Sequence, residues 1–212
     1  MILSTRASSD IAPEVPSGVF LPRIVWPTMV LGERSYEEGD LERFPENDSY
    51  REREKRGIGG AVSPAFRNAV HLARNRIWLL DEQLLRDDKS VRHLVGLFED
   101  TSATDIKIVT ASKEGATERA KWLKDLEKEK QESRRGTPLR IQISLNLNKA
   151  MRNVPNIHDR FAVIDDVLWH CGATIGGLHN AINAMTFGWS AHTTHAVDFF
   201  NRLWGILEEG YD

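Results

Sequence analysis

Between Ser63 and Leu147, short apolar runs alternate with longer segments of helical periodicity, and that alternation restricts the chain to a sheet covered by helices. Ser63 and Pro64 open a helix, with serine at the cap and proline at the first helical position; Phe66, Ala69, Val70 and Ala73 follow at helical spacing. The run 76–80 then reads as a buried strand. Asp88 is placed to cap a second helix, in which Val91, Leu94, Val95 and Phe98 repeat the spacing. A second buried strand follows at 106–110. Residues 114–135 form a long charged helix whose thin apolar stripe, Ala116, Ala120 and Leu123, predicts a surface position. Residues 139–148 alternate apolar with polar at a period of two, which predicts a half-buried strand. A terminal helix at 195–207 carries Val197, Phe199, Phe200, Leu203, Trp204, Ile206 and Leu207, and is expected to be buried on most sides.

The first sixty residues differ. Val19-Phe20-Leu21 and Ile24-Val25-Trp26 are punctuated by Pro16, Pro22 and Pro27, a pattern that suits an edge strand or an extended arm. Residues 33–56 are dense in both charges, as in a linker, a solvated helix or an ordered partner-binding arm. The expected organisation is an N-terminal arm and charged linker at 1–57, followed by one α/β domain at 58–212. A chain of 212 residues with 41% apolar content can bury one sizeable core. The single cysteine, Cys171, excludes a disulfide framework and a thiolate metal cluster. A net charge of −3 gives no global basic field, so any nucleic-acid surface must be local. With neither a signal-peptide pattern nor a membrane-length apolar run, a cytoplasmic protein without membrane association is expected.

Chemistry concentrates between Ile157 and Thr174. His158 and Arg160 stand two apart on what reads as a strand, and so share a face. An imidazole beside a guanidinium suits attack on a phosphodiester: the cation holds the phosphate oxygens and the histidine supplies a nucleophile or a proton. The chain then turns at Asp165-Asp166 into a second apolar run, 167–171, which ends in the small-residue loop Gly172-Ala173-Thr174.

From His158 the pattern is H-x-R, four residues, Asp165, six residues, Gly172, which resembles the H-x-K-x4-D-x6-G-S signature of the phospholipase D superfamily. The resemblance covers about residues 61–207. Arg160 stands at the family lysine and Ala173 at the family serine, and Thr174-Ile175-Gly176-Gly177 offers no clean counterpart of the family asparagine. Arginine clamps phosphate bidentately, whereas alanine removes a hydroxyl donor. The resemblance implies an α/β sandwich, a mixed sheet flanked by helices with the extended N-terminal arm outside it. It also implies His158, Arg160 and Asp165 as catalytic positions, with Gly172 beside the substrate.

Family enzymes use two such histidines, one forming a phosphohistidine and one protonating the leaving oxygen, and short members with one motif build the site across a homodimer. No second histidine here has a cation two residues on. The resemblance therefore implies a metal-independent, cofactor-free phosphodiesterase, a nuclease acting on DNA or RNA in a two-subunit site, of a kind found in bacterial antiviral defence. The alternative is a catalytically impaired subunit that binds nucleic acid or a partner protein within a larger complex through the N-terminal arm.

Other residues complete the candidate set. Asp81 and Glu82 follow the strand at 76–80, at the edge where α/β ligand sites gather, where a carboxylate could orient the histidine or stand as a plain surface acid. His170 and Thr174 flank Gly172 on the substrate side, although a satisfied edge histidine reads as well for His170. Asp165 braces the turn rather than touching substrate. His192-x-x-His195 lacks a carboxylate or cysteine at ligand spacing, so no metal is expected. Trp189, with Asn180, Asn183 and Ser190, suits either a groove for single-stranded nucleic acid or a core anchor.

Overall fold

The computed structural model describes residues 22–27, 40–41, 62–133, 139–150, 157–175 and 183–208. Among the described residues eight strands form one sheet: β1 (Arg23–Pro27), β2 (Asp40–Leu41), β3 (Arg76–Leu80), β4 (Asp105–Val109), β5 (Arg140–Ser144), β6 (Arg160–Ile164), β7 (Val167–Cys171) and β8 (Met185–Ser190). The helices among the described residues are α1 (Pro64–Leu72), α2 (Asp88–Phe98), α3 (Ala116–Ser133), a four-residue α4 (Leu147–Ala150) and α5 (Ala196–Glu208).

Local chemistry sets the helix starts. Ser63 Oγ accepts the Phe66 N–H with Pro64 at the first helical position, as the sequence predicts. For α2 the cap is one residue earlier than predicted: Asp87, not Asp88, accepts from the Ser90 N–H and Oγ, both at 2.8 Å. Asp88 instead reaches Arg119 Nε of α3 at 2.9 Å.

The strand order is β2-β1-β8-β7-β6-β3-β4-β5. Strands β3, β4 and β5 run parallel, linked by α2 and α3, while β6, β7, β8, β1 and β2 continue the sheet with antiparallel pairings. The result is an open mixed α/β sheet. Strand alternation divides the core. Ile77, Leu79, Ile106, Ile108, Ala162, Ile164 and Trp169 pack with Phe66, Val70, Leu94, Phe98 and Leu123 of α1–α3. Trp78, Leu80, Val109 and Val163 pack on the other face with Val197, Phe200, Leu203 and Trp204 of α5.

Several expectations shift. The alternation at 139–148 ends as a strand at Ser144; Asn146 makes an isolated bridge to Ala111, and Leu147 turns inward to start α4. Strand β8 is absent from the sequence reading, because Gly188, at φ 111°, interrupts its pattern. Helix α5 buries one stripe rather than most of its sides. The apolar stretch 24–26 lies in β1, which pairs with β8 and so joins the same sheet as the domain at 58–212. Apart from Asp40 and Leu41, the charged stretch 33–56 lies outside the described residues.

Candidate functional site

Strand β3 has neighbours on both sides: the chain leaves it towards β4 and β5 and returns on its other edge as β6. Ligand sites in open α/β sheets gather at the carboxyl ends of strands where the winding reverses. Asp81 stands at that point. Its backbone N–H still donates to Val109 O, at 3.1 Å. The pairing of Leu80 with Phe161, continued by one residue, sets Asp81 opposite Arg160, the first residue of β6. Arg160 in turn pairs with Cys171, the last residue of β7. Three adjacent strands thus bring a carboxylate, a guanidinium and a thiol into one row.

Asp81 is 1% exposed. Its Oδ1 accepts the Gln83 N–H at 2.8 Å and its Oδ2 accepts the Ile175 N–H at 2.7 Å, so one carboxylate ties its own turn to the loop after β7. Arg160 Nε lies 3.4 Å from Oδ1. That contact is an ion pair without hydrogen-bond alignment, and the buried Nε–H has no aligned acceptor among the described residues. Burial pushes the Asp81 carboxyl above its ordinary value; the two backbone N–H groups and then Arg160 pull it down without cancelling that rise. Cys171 is buried beside the pair, and burial first, then the Asp81 charge, hold its thiol strongly protonated against the opposing pull of Arg160. It is not a thiolate nucleophile.

The loop after β7 is close-fitted. Gly172 N–H donates to Ala184 O at 3.0 Å, and a Cβ on residue 172 would stand 3.1 Å from that oxygen, so glycine permits the approach. Ala173, Thr174 and Ile175 are all buried. Ala173 is therefore a methyl group packed inside.

His158 is exposed and precedes β6 rather than lying on it; the strand begins at Arg160, and residues 157–159 pair with no strand among the described residues. Asp159 reaches His170 Nε2 at 3.7 Å, and His170 packs against Phe161 with ring centroids 5.3 Å apart. By strand alternation His170 and Phe161 belong to the α5 face, and Arg160 to the α1–α3 face. Glu82, half-buried, accepts from Gln83 Nε2 at 3.0 Å. Asp81 pairs with Arg160 instead of orienting the histidine.

Asp165 is separated from the others. It lies at the far end of β6, roughly 16 Å along the strand from Arg160, in the β6–β7 turn at φ 48°. Its carboxylate accepts the N–H groups of Arg74, Asn75 and Arg76 at 3.1, 2.8 and 3.1 Å. Asp165 thus braces the turn, as the sequence reading has it: three amides tie its carboxylate to the start of β3, away from Arg160, at the position where the resemblance implies a catalytic residue. His192 pairs with Asp166 at 3.1 Å and His195 with Asp198 at 3.0 Å, and the described residues include no cluster of three or more metal-ligating side chains. Trp189 is half-buried on β8 opposite Leu168, while His179 and Asn180 lie outside the described residues. A cleft of about 310 Å³ opens elsewhere, between α1 and α2, lined by Arg67, His71 and Asp100 among others.

The Asp81 tie to Ile175 was beyond sequence reasoning, since the partners are 94 residues apart and one is a backbone amide. No described helix is long and apolar enough to cross a membrane. No family model matches the chain, and no curated protein matches it. Among solved structures it is similar to TrmBL2, an archaeal chromatin protein whose structure is described as showing a novel mode of DNA binding, at 12% identity and a TM-score of 0.41. The match covers 66% of this chain and 47% of that protein, less than half its length.

Proposed function

We propose that this chain is a phospholipase D-like phosphodiesterase of the nuclease branch, with His158 as nucleophile and Arg160 as phosphate clamp. One observation carries the reading: Arg160 forms a 3.4 Å ion pair, through Nε, with a buried carboxylate at the switch point of the sheet, two residues after an exposed histidine. The guanidinium offers a fork of donors that suits two phosphate oxygens. In the proposed reaction a His158 ring nitrogen attacks phosphorus, a P–N bond forms and the P–O bond to the leaving group breaks. A second histidine protonates the leaving oxygen, then takes a proton from the water that hydrolyses the phosphohistidine. With one motif per chain, that second histidine is His158 of another copy across a two-fold axis. Imidazole and guanidinium groups supply the chemistry, so the reaction proceeds without a metal. The test is cleavage of DNA and RNA by purified protein in excess chelator: cleavage that His158→Ala abolishes is expected, and chelator-sensitive cleavage, or cleavage that survives the substitution, contradicts the mechanism.

A second reading has its own observation. The buried methyl of Ala173 and the Asp81 charge already paired with Arg160 both weaken anion activation. They favour a phospholipase D-like subunit that binds nucleic acid or a protein partner in a larger complex without cutting. Retention of single-stranded or duplex nucleic acid without turnover separates the two.

A further inference from the structure

We propose that Asp81 is an exchangeable counterion: a phosphodiester arriving at Arg160 replaces it, and the freed carboxylate takes up one proton from solvent. The inference rests on Arg160 as the phosphate clamp and concerns how that clamp is regulated. Asp81 does not need Arg160 to stay in place, because the Gln83 and Ile175 amides hold one oxygen each at 2.8 and 2.7 Å. The cation is its loosest contact, 3.4 Å away and unaligned. Two anions sharing one cation in a water-poor site repel each other strongly, and the one that can be neutralised is the carboxylic acid. Burial already lifts the Asp81 pKa, so losing the attraction of Arg160 moves it further in the same direction.

The surroundings admit the neutral form. Among the described residues, the titratable groups facing Asp81 are Arg160 of β6 and the protonated thiol of Cys171 of β7; Glu82 follows it in its own turn, bonded to Gln83. The loop after β7 presents the Ile175 amide. On the remaining side, the parallel register of β3 and β4 continued by one residue sets Thr110 beside Asp81. The Thr110 hydroxyl is buried and has no hydrogen-bond partner among the described residues, an acceptor suited to a carboxylic O–H. The balance is simple: ion pair plus phosphodiester anion plus proton gives neutral acid plus a new ion pair.

The test uses the full chain as His158→Gln/His170→Gln, which silences cleavage and removes the two imidazoles nearest the motif. The probe is the dinucleoside phosphate of thymidine, which has no group titrating in the acid-to-neutral range. Calorimetric titration in buffers of different ionisation enthalpy counts the protons. Net uptake approaching one proton is expected, with affinity falling up to about tenfold per pH unit as the pH rises. Adding Asp81→Asn should tighten binding and remove the linkage. Binding without proton uptake, or linkage unchanged by Asp81→Asn, overturns counterion exchange and leaves the clamp standing. No binding at any pH overturns both. Should the asparagine amide, facing a backbone N–H, prevent folding, the proton count on the parent protein decides alone.

Discussion

Asp165 and Asp81 are both carboxylates beside β-strand ends, yet the two sites use them differently. Asp165 gathers three backbone N–H groups in a left-handed turn, a structural task that depends on both its oxygens and its tolerance of positive φ. Replacing it with alanine leaves those donors unmet and should cost about 2 kcal/mol in denaturant unfolding, while cleavage or binding per folded molecule stays unchanged. Loss of function greater than loss of folded protein would return Asp165 to the site. Asp81 has its folded pKa raised, so its contribution to stability falls as pH rises through that value and recovers on acidification. Unfolding free energy of the Asp81→Asn protein should therefore lack the decline that the parent shows between the ordinary aspartate range and that raised value. Residue types and spacing made Arg160 and Gly172 legible in advance. The partner of Arg160 was not, because it is set by a register between strands far apart in sequence.

At the scale of elements, local rules read well and tertiary limits read poorly. The Ser63-Pro64 start of α1 and the bounds of β3 follow from capping and from an uninterrupted apolar run. The cap of α2 required discriminating two adjacent aspartates, which only the Ser90 contacts resolve. Burial raises the Asp87 carboxyl, but the Ser90 N–H, the Ser90 hydroxyl and Arg86 outweigh it and leave it lowered. Its support is then full above the ordinary aspartate range and is lost as pH falls through the lowered value. Asp87→Ala should destabilise by about 1 kcal/mol near neutrality, with the deficit shrinking in acid; Asp88→Ala should cost less. Equal losses from both variants in thermal melts would reverse that assignment of the cap. Strand β5 stopped short of its period-two pattern because Leu147 is needed on the α5 side of the core, where it joins Val163 and Phe200.

For the whole molecule, alternating strands and helices foretold a helix-covered sheet, but not that the antiparallel half would include β8 and the arm segment β1. A pattern of that kind reports neighbours in sequence, whereas β1 and β8 meet only through the fold. If the site spans two copies, mixing equal amounts of parent and His158→Ala protein under exchange should leave about one quarter of the activity, since only parent pairs hold both histidines. Half the activity would mean that each chain works alone. The β1–β8 pairing also bears on synthesis. Val25 pairs with Met185, 160 positions later, so on a ribosome adding about 5–20 residues per second the first strand waits roughly 8–32 s for its partner. Through that interval the edge of β1 that later meets β8 stays open, with the apolar Ile24 and Trp26 beside Val25, so that edge is a place where a chaperone would protect the nascent chain.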